Sequence, residues 1–219
     1  MKSKTRVILA ATGILALFVL AGAARLHRPN ELNSGTGYDG LVISFFQKDY
    51  KGLLLGIEEE LSESKIIVVA EATGKKKYVY GNLKQEIILK KIVRGSLPIA
   101  IGEKTELVGN GWREYNDKKE LQISTGFINY LRKGDRYLIF CNDCVDDYSG
   151  KGKILRARQD SIAMRCLNLS REENYVCPEQ GEHTRYKNVK KSEFFTNDEE
   201  TLQAMVELKK RLIKRFYMD

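Results

Sequence analysis

The most reactive side chains of this 219-residue chain are four cysteines, Cys141, Cys144, Cys166 and Cys177, all toward its C-terminal end. Cys141-Asn142-Asp143-Cys144 has the C-x2-C spacing of a metal knuckle, a small closed loop or a thiol–disulfide exchange motif. The gaps of 21 and 10 residues that lead on to Cys166 and Cys177 do not reproduce a common zinc module, so no metal is expected. A redox motif should open a helix, whereas Asp143, Asp146 and Asp147 mark an acidic loop here. An even cysteine count outside the cytoplasm points to two disulfides in any of three pairings, and the span from Cys166 to Cys177 suits a hairpin closed by one of them.

Other chemistry is sparse. His27 and His183 sit in polar surroundings with no Ser, Cys or Asp pattern of a triad, and solvated surface positions are expected for both. A Gly-rich phosphate loop, a paired-carboxylate motif and an H-E-x-x-H are all missing from the sequence. A non-enzymatic protein without a cofactor is the expectation. Tyr78, Tyr80, Trp112 and Tyr115 fall where strands and a loop are anticipated, which makes them candidates for a ligand face, with hairpin packing as the competing use. Asn168-Leu169-Ser170 is a formal glycosylation triplet, common by chance.

Charge narrows the partners. The formal net charge is +8, and three of the basic residues, Lys2, Lys4 and Arg6, belong to an N-terminal targeting segment, which leaves +5 for the rest. That excess is too mild for nucleic acid. Behind those three cations, residues 7–24 form an apolar run of 18 residues, about 27 Å long as a helix against an apolar bilayer thickness of about 30 Å. Residues 1–24 are therefore a signal peptide or a single-pass transmembrane anchor. The cations ahead of the run outweigh Arg25 and Arg28 behind it, which places the rest of the chain outside the cytoplasm, at the cell membrane or secreted. Residues 25–44 read as a tether.

The elements that must position these groups follow from periodicity. Apolar positions 46, 50, 53, 54, 57 and 61 have helical spacing and predict a packing helix. Residues 65–72 (KIIVVAEA) predict a buried strand, with a hairpin turn at 73–77. Residues 78–93 read as a long strand bent near Gly81, 104–108 as the next, and Gly109-Asn110-Gly111 as a turn ahead of a charged loop. Further strands are expected at 120–125, 136–141, 153–159 and 162–168. Thr196 followed by Glu199 resembles a capping box and opens an amphipathic helix, acidic at its start and basic at its end, over 198–219.

Three segments in order carry a family resemblance: the helix running into an apolar strand (Leu53 to Ala72), then QEIILKKIVRGSLPIAIGEKTELVGNG, then INYLRKGDRYLIFCND. Ile92-Val93-Arg94-Gly95 is similar to the corner that ends the second strand in bacterial TIMP-like (netrin-module) proteins. Gly102-Glu103 matches the turn before the third strand, and Gly134-Asp135-Arg136-Tyr137-Leu138-Ile139-Phe140 a later strand. The chain resembles that family over about residues 50–145. The resemblance implies a mainly β protein with an OB-fold, a five-stranded Greek-key barrel occupying residues 45–197, with a packing helix before it and the C-terminal helix packed on it. Animal TIMP proteins inhibit metalloproteases through an N-terminal cysteine, and this chain has none before Cys141. The expected function is recognition of a protein or cell-envelope ligand through the barrel face and the 109–119 loop. Regulation of a protease through an exposed loop is the alternative, and a four-cysteine metal or redox protein a third.

Overall fold

In the computed structural model, the described residues are 38–44, 51–79, 82–115, 121–124, 128–147, 150, 152–158, 165–176 and 184–218. The protein is mainly β. Its strands are β1 (Val42–Ser44), β2 (Ile66–Val79), β3 (Asn82–Arg94), β4 (Lys104–Tyr115), β5 (Leu121–Ser124), β6 (Arg136–Asp146), β7 (Lys153–Ala157), β8 (Cys166–Asn168), β9 (Asn174–Val176) and β10 (Phe194–Thr196). Among the described residues three helices accompany them: α1 (Lys51–Ser62), α2 (Tyr186–Val189) and α3 (Glu199–Ile213), the last continuing into a wider turn over Lys214–Met218.

The main sheet runs β1-β5-β4-β3-β2-β6-β7, with β8 on β6, and a further pairing joins β4 to β7. Strands β2, β3, β4, β7 and β6 thus pair around a closed ring, in which only the β4–β7 contact, Glu106 to Val108 against Ile154 to Arg156, is parallel. Beyond the ring, the far half of β4 pairs with β5, and β5 carries β1 in parallel.

Period-two alternation gives β2 and β6 two jobs. Val68, Ala70, Tyr137, Ile139 and Cys141 point into the ring with Ile87, Leu89, Leu107 and Leu155, while Ile67, Val69, Leu138 and Phe140 face outward and are covered by helices. The covers are α1 through Leu54, Ile57 and Leu61, and α3 through Leu202, Met205, Leu208 and Leu212. Glu58 of α1 accepts from both Arg211 Nε and Nη2 at 2.8–2.9 Å, which ties the two helices together. The expected packing helix and C-terminal helix are therefore both present and share one face of the sheet.

Two turns expected from sequence are strand instead. β2 runs through Thr73 to Lys77 with a bulge between Ala72 and Lys76, where Gly74 takes φ +85°, and pairing continues to Val79 opposite Asn82. The bulge absorbs the turn-forming residues because the strand gains four further cross-strand pairs on β3, Lys76 to Val79, by continuing. Gly109 and Gly111 likewise lie inside β4; a Cβ on Gly111 would press against Leu83 and Tyr130 at 3.2–3.4 Å, so glycine serves close packing there. The cap of α3 also differs: Asp198, not Thr196, accepts from Thr201 N at 2.7 Å, and Thr196 is buried at the end of β10.

The glycine corners hold. Gly95, Gly102 and Gly134 end or precede strands with φ of +89°, +90° and +82°. A Cβ on Gly95 would lie 2.6 Å from the Lys65 carbonyl oxygen, whereas Gly102 has nothing within 4 Å. Gly95→Ala is expected to cost over 2 kcal/mol, and Gly102→Ala only the roughly 1 kcal/mol of the left-handed backbone; urea unfolding of the two variants checks the difference.

Candidate functional site

The helices cover the outer side of β6, Ile67 and Val69 of β2 and the end of β3, and leave the outer surface around Glu86 of β3, with the neighbouring parts of β2 and β4, partly exposed. Lysine and glutamate alternate across it. Glu86 lies directly opposite Glu106 in the β3–β4 register, a like-charge pair that is unfavourable on its own. Cations surround both: Glu106 binds Lys77 and, at 3.0 Å, Lys84, while Glu86 lies 3.7 Å from both Lys75 and Lys104. Glu71 and Lys90 add a pair at 2.9 Å. Lysine contacts hold the Glu106 carboxyl below its ordinary range although desolvation opposes them. The surface is therefore a checkerboard of charge, not a basic track.

At one end of this face, the 95–103 turn and the β6–β7 turn border an open, polar cleft of about 470 Å³ lined by Ile99, Glu103, Lys104, Asp146 and Lys153. Thr105 Oγ1 donates to the Lys153 carbonyl at 2.5 Å and Lys153 Nζ to Asp146 at 2.5 Å, so both cleft walls are fixed to the ring.

The opposite end holds a cluster that sequence reasoning missed. Tyr38, Tyr130 and Tyr186 are buried against one another, with ring centroids 5.3–6.2 Å apart. Tyr78 joins them by stacking on Tyr38 at 6.4 Å, and its hydroxyl lies 2.6 Å from that of Tyr130. Lys76 Nζ reaches over the rings of Tyr38 at 4.2 Å, Tyr130 at 4.6 Å and Tyr186 at 5.7 Å, an aromatic cage around an ammonium. Burial pushes the Lys76 pKa down to about 8, with Asp39 pulling it back up. A base whose folded pKa lies below its unfolded value binds fewer protons when folded, so its folded state gains stability as pH rises from about 8 toward 10.5. Lys76→Met is expected to flatten that rise, measured as unfolding free energy against pH; an NMR titration is expected to show one lysine titrating near pH 8 in the wild type and none there in the variant.

The remaining expected site residues are placed as follows. Tyr78 belongs to the tyrosine cluster just described. The register sets Trp112 opposite Asn82 and Ser124, and Tyr115 opposite Leu121 at the end of the β4–β5 pair. Tyr80, Cys177 and both histidines lie outside the described residues, as do residues 1–24, most of the tether and 116–120 of the expected loop.

Cys141, Cys144 and Cys166 are free thiols. The C-x2-C segment lies within β6 and not at its end. Three steps along a strand are about 10 Å, beyond the Cα separation of a disulfide, even with the bulge between Cys141 and Asp143. Cys166 pairs with Ile139, which leaves it diagonal to Cys141. Cys141 and Cys166 are fully buried inside the ring, and burial pushes both thiols up, Cys166 to about 12.

A second polar centre lies beneath α3. Lys209 Nζ and Glu193 Oε2 are 2.5 Å apart with both side chains at most 5% exposed, and Lys209 also donates to the Arg171 carbonyl at 2.9 Å. Glu193 Oε1 accepts from Asn168 N at 2.7 Å, and Asn168 Nδ2 donates to Asp135 and to the Tyr137 hydroxyl. The work of this network is to fix β8 and β10 to the ring and to α3.

Among the described residues no helix is long and apolar enough to cross a membrane, and no group of three or more His, Cys, Asp or Glu is placed to hold a metal ion. No protein-family model matches the chain, and no curated protein matches it.

Proposed function

We propose that the chain is a non-enzymatic, extracytoplasmic binding module with an OB-fold, anchored in the membrane by residues 7–24 or released from it, that recognises a protein partner through the outer face of β3 and β4. The observation that carries this reading is the asymmetry of the ring: two helices cover its β2–β6 side, and the checkerboard with its adjoining cleft is left to solvent. The strand order, a three-stranded meander whose third member runs parallel to the fifth, supports the OB-fold part of this reading, and OB-folds commonly use their middle strands and adjoining loops for ligands. The TIMP-like resemblance supports the same reading through its corners at Gly95, Gly102 and Gly134.

Mixed charge selects the kind of partner. Glu71, Glu86 and Glu106 interrupt the lysines at intervals that would repel a continuous phosphate backbone, and a complementary mosaic of acids and bases is characteristic of a protein surface. Photo-crosslinking in intact cells, with the reactive group at Glu86 or Glu103 and a control at Glu60 on the helix side, tests the proposal. A discrete adduct from the first two positions that disappears in Glu71→Lys/Glu106→Lys supports it. Adducts from Glu60 alone, or none from the strand face, overturn it.

A further inference from the structure

We infer that the tyrosine-cluster end of the domain is its membrane-facing pole, and that Lys133, Lys187 and Lys191 there rest on anionic phospholipid headgroups. The inference rests on the anchored form of the reading above.

The first observation is where the chain joins the domain. Thirteen residues, 25–37, separate the apolar run from Tyr38, and at roughly 3.3–3.6 Å per residue they reach no further than about 45 Å. Tyr38 is 2% exposed, set among the rings of Tyr78, Tyr130 and Tyr186. Behind it the backbone is held over its next residues: Leu41 O accepts from Tyr186 N at 2.9 Å, Asp39 O from Lys187 N at 3.2 Å, and Ile43 N donates to Thr184 O at 2.8 Å. Arg185 Nη1 donates to Gly40 O, and Lys190 Nζ to Asp39 at 2.7 Å. Residues 38–43 are therefore held at one pole of the domain, and the chain that leads back to the apolar run leaves from that pole.

The second observation is charge. α2 buries Tyr186 and Val189 and turns Lys187, with Lys190 and Lys191 just after it, outward. Arg132 Nη2 donates to the Lys190 carbonyl, which brings the 132–134 turn and exposed Lys133 alongside. Acids at this pole are already engaged, Asp39 by Lys190 and Glu173 by Arg132. Lys133, Lys187 and Lys191 have no acidic partner among the described residues, whereas the lysines of the strand face are paired. Cations held within a Debye length of an anionic surface gain attraction that salt removes.

This pole lies at the other end of the ring from the polar cleft, so headgroup contact leaves the cleft and the strand face accessible.

Lysine footprinting on the full chain, reconstituted in vesicles of phosphatidylcholine alone or of phosphatidylcholine with phosphatidylglycerol, tests the inference. Acylation of Lys133, Lys187 and Lys191 is expected to fall severalfold in the anionic vesicles and to recover in high salt, with Lys104 and Lys153 at the cleft unchanged. In Lys187→Gln/Lys191→Gln the protection of Lys133 is expected to be lost. Equal labelling of the three lysines in both vesicles, with the chain firmly inserted, overturns the headgroup contact and leaves the binding-module reading standing. A chain that neither vesicle retains overturns the anchor and this orientation together.

Discussion

Lys209→Met is expected to destabilise the domain by about 3–5 kcal/mol, because it leaves the Glu193 carboxylate buried without its cation. The loss has a pH signature. Burial already pushes Glu193 up to about 7 against the pull of Lys209 and the Asn168 N–H, and without the lysine the carboxyl rises further. A carboxyl whose folded pKa lies above its unfolded value stabilises the fold most at low pH and loses that contribution as pH rises through the folded pKa. The variant is therefore expected to be closer to wild type at about pH 5 than at about pH 8.5. Glu193→Leu/Lys209→Met removes both charges and is expected to recover much of the loss, since an apolar pair of similar volume is often as stable as a buried ion pair. Urea unfolding of the three proteins at the two pH values reads all of this. Equal losses for the single and double variants would mean that packing, not charge, dominates the site.

Phe140→Ala is expected to cost about 3–5 kcal/mol, the range for truncating a core aromatic to alanine. Phe140 is fully buried on the outward face of β6 and meets Phe216 edge to face at 5.8 Å between centroids. The void would open between the ring of strands and the C-terminal turn, where neither side can close it: β6 is pinned by β2 and β7, and α3 by Glu58–Arg211 and Glu193–Lys209. Alanine at Ile101, which is 65% exposed, is expected to change stability by no more than about 0.5 kcal/mol. Thermal unfolding of the pair measures the contrast.

The strands that build the ring were legible where alternation and turn chemistry agree. Residues 136–141 are apolar and follow Gly134-Asp135, and β6 begins there at Arg136. The glycine corners were legible because their backbone angle excludes other residues. Thr73-Gly74-Lys75-Lys76-Lys77 failed as a turn because a bulge uses the same residue types, and only the long partner strand β3 decides between them. β1, β9, β10 and α2, three or four residues each, are set by distant partners and have no period of their own. The same physics hid Lys76 and its cage: Tyr38, Tyr130 and Tyr186 come from a tether, a loop and a short helix, and no local pattern joins them. Fixing the checkerboard required the β3–β4 register, which sets Glu86 against Glu106.

The docking of Asp39 and Tyr38 against α2 has a temporal side. The Lys190–Asp39 pair joins residues 151 apart. At a synthesis rate of roughly 5–20 residues per second, the partners of the Tyr38 and Asp39 segment emerge about 8–30 s after it does. Such long-range closure makes folding slow and late, whatever the strength of the local strands. During that interval the pole bearing Tyr38 has no lid, and Tyr38, Val42 and Ile43 are exposed to whatever captures unfolded chains in their compartment. This joint is thus sealed only late in biogenesis, just before α3 closes over α1, and slow codons or a holding chaperone acting before residue 190 would change the yield of protein without changing its final stability.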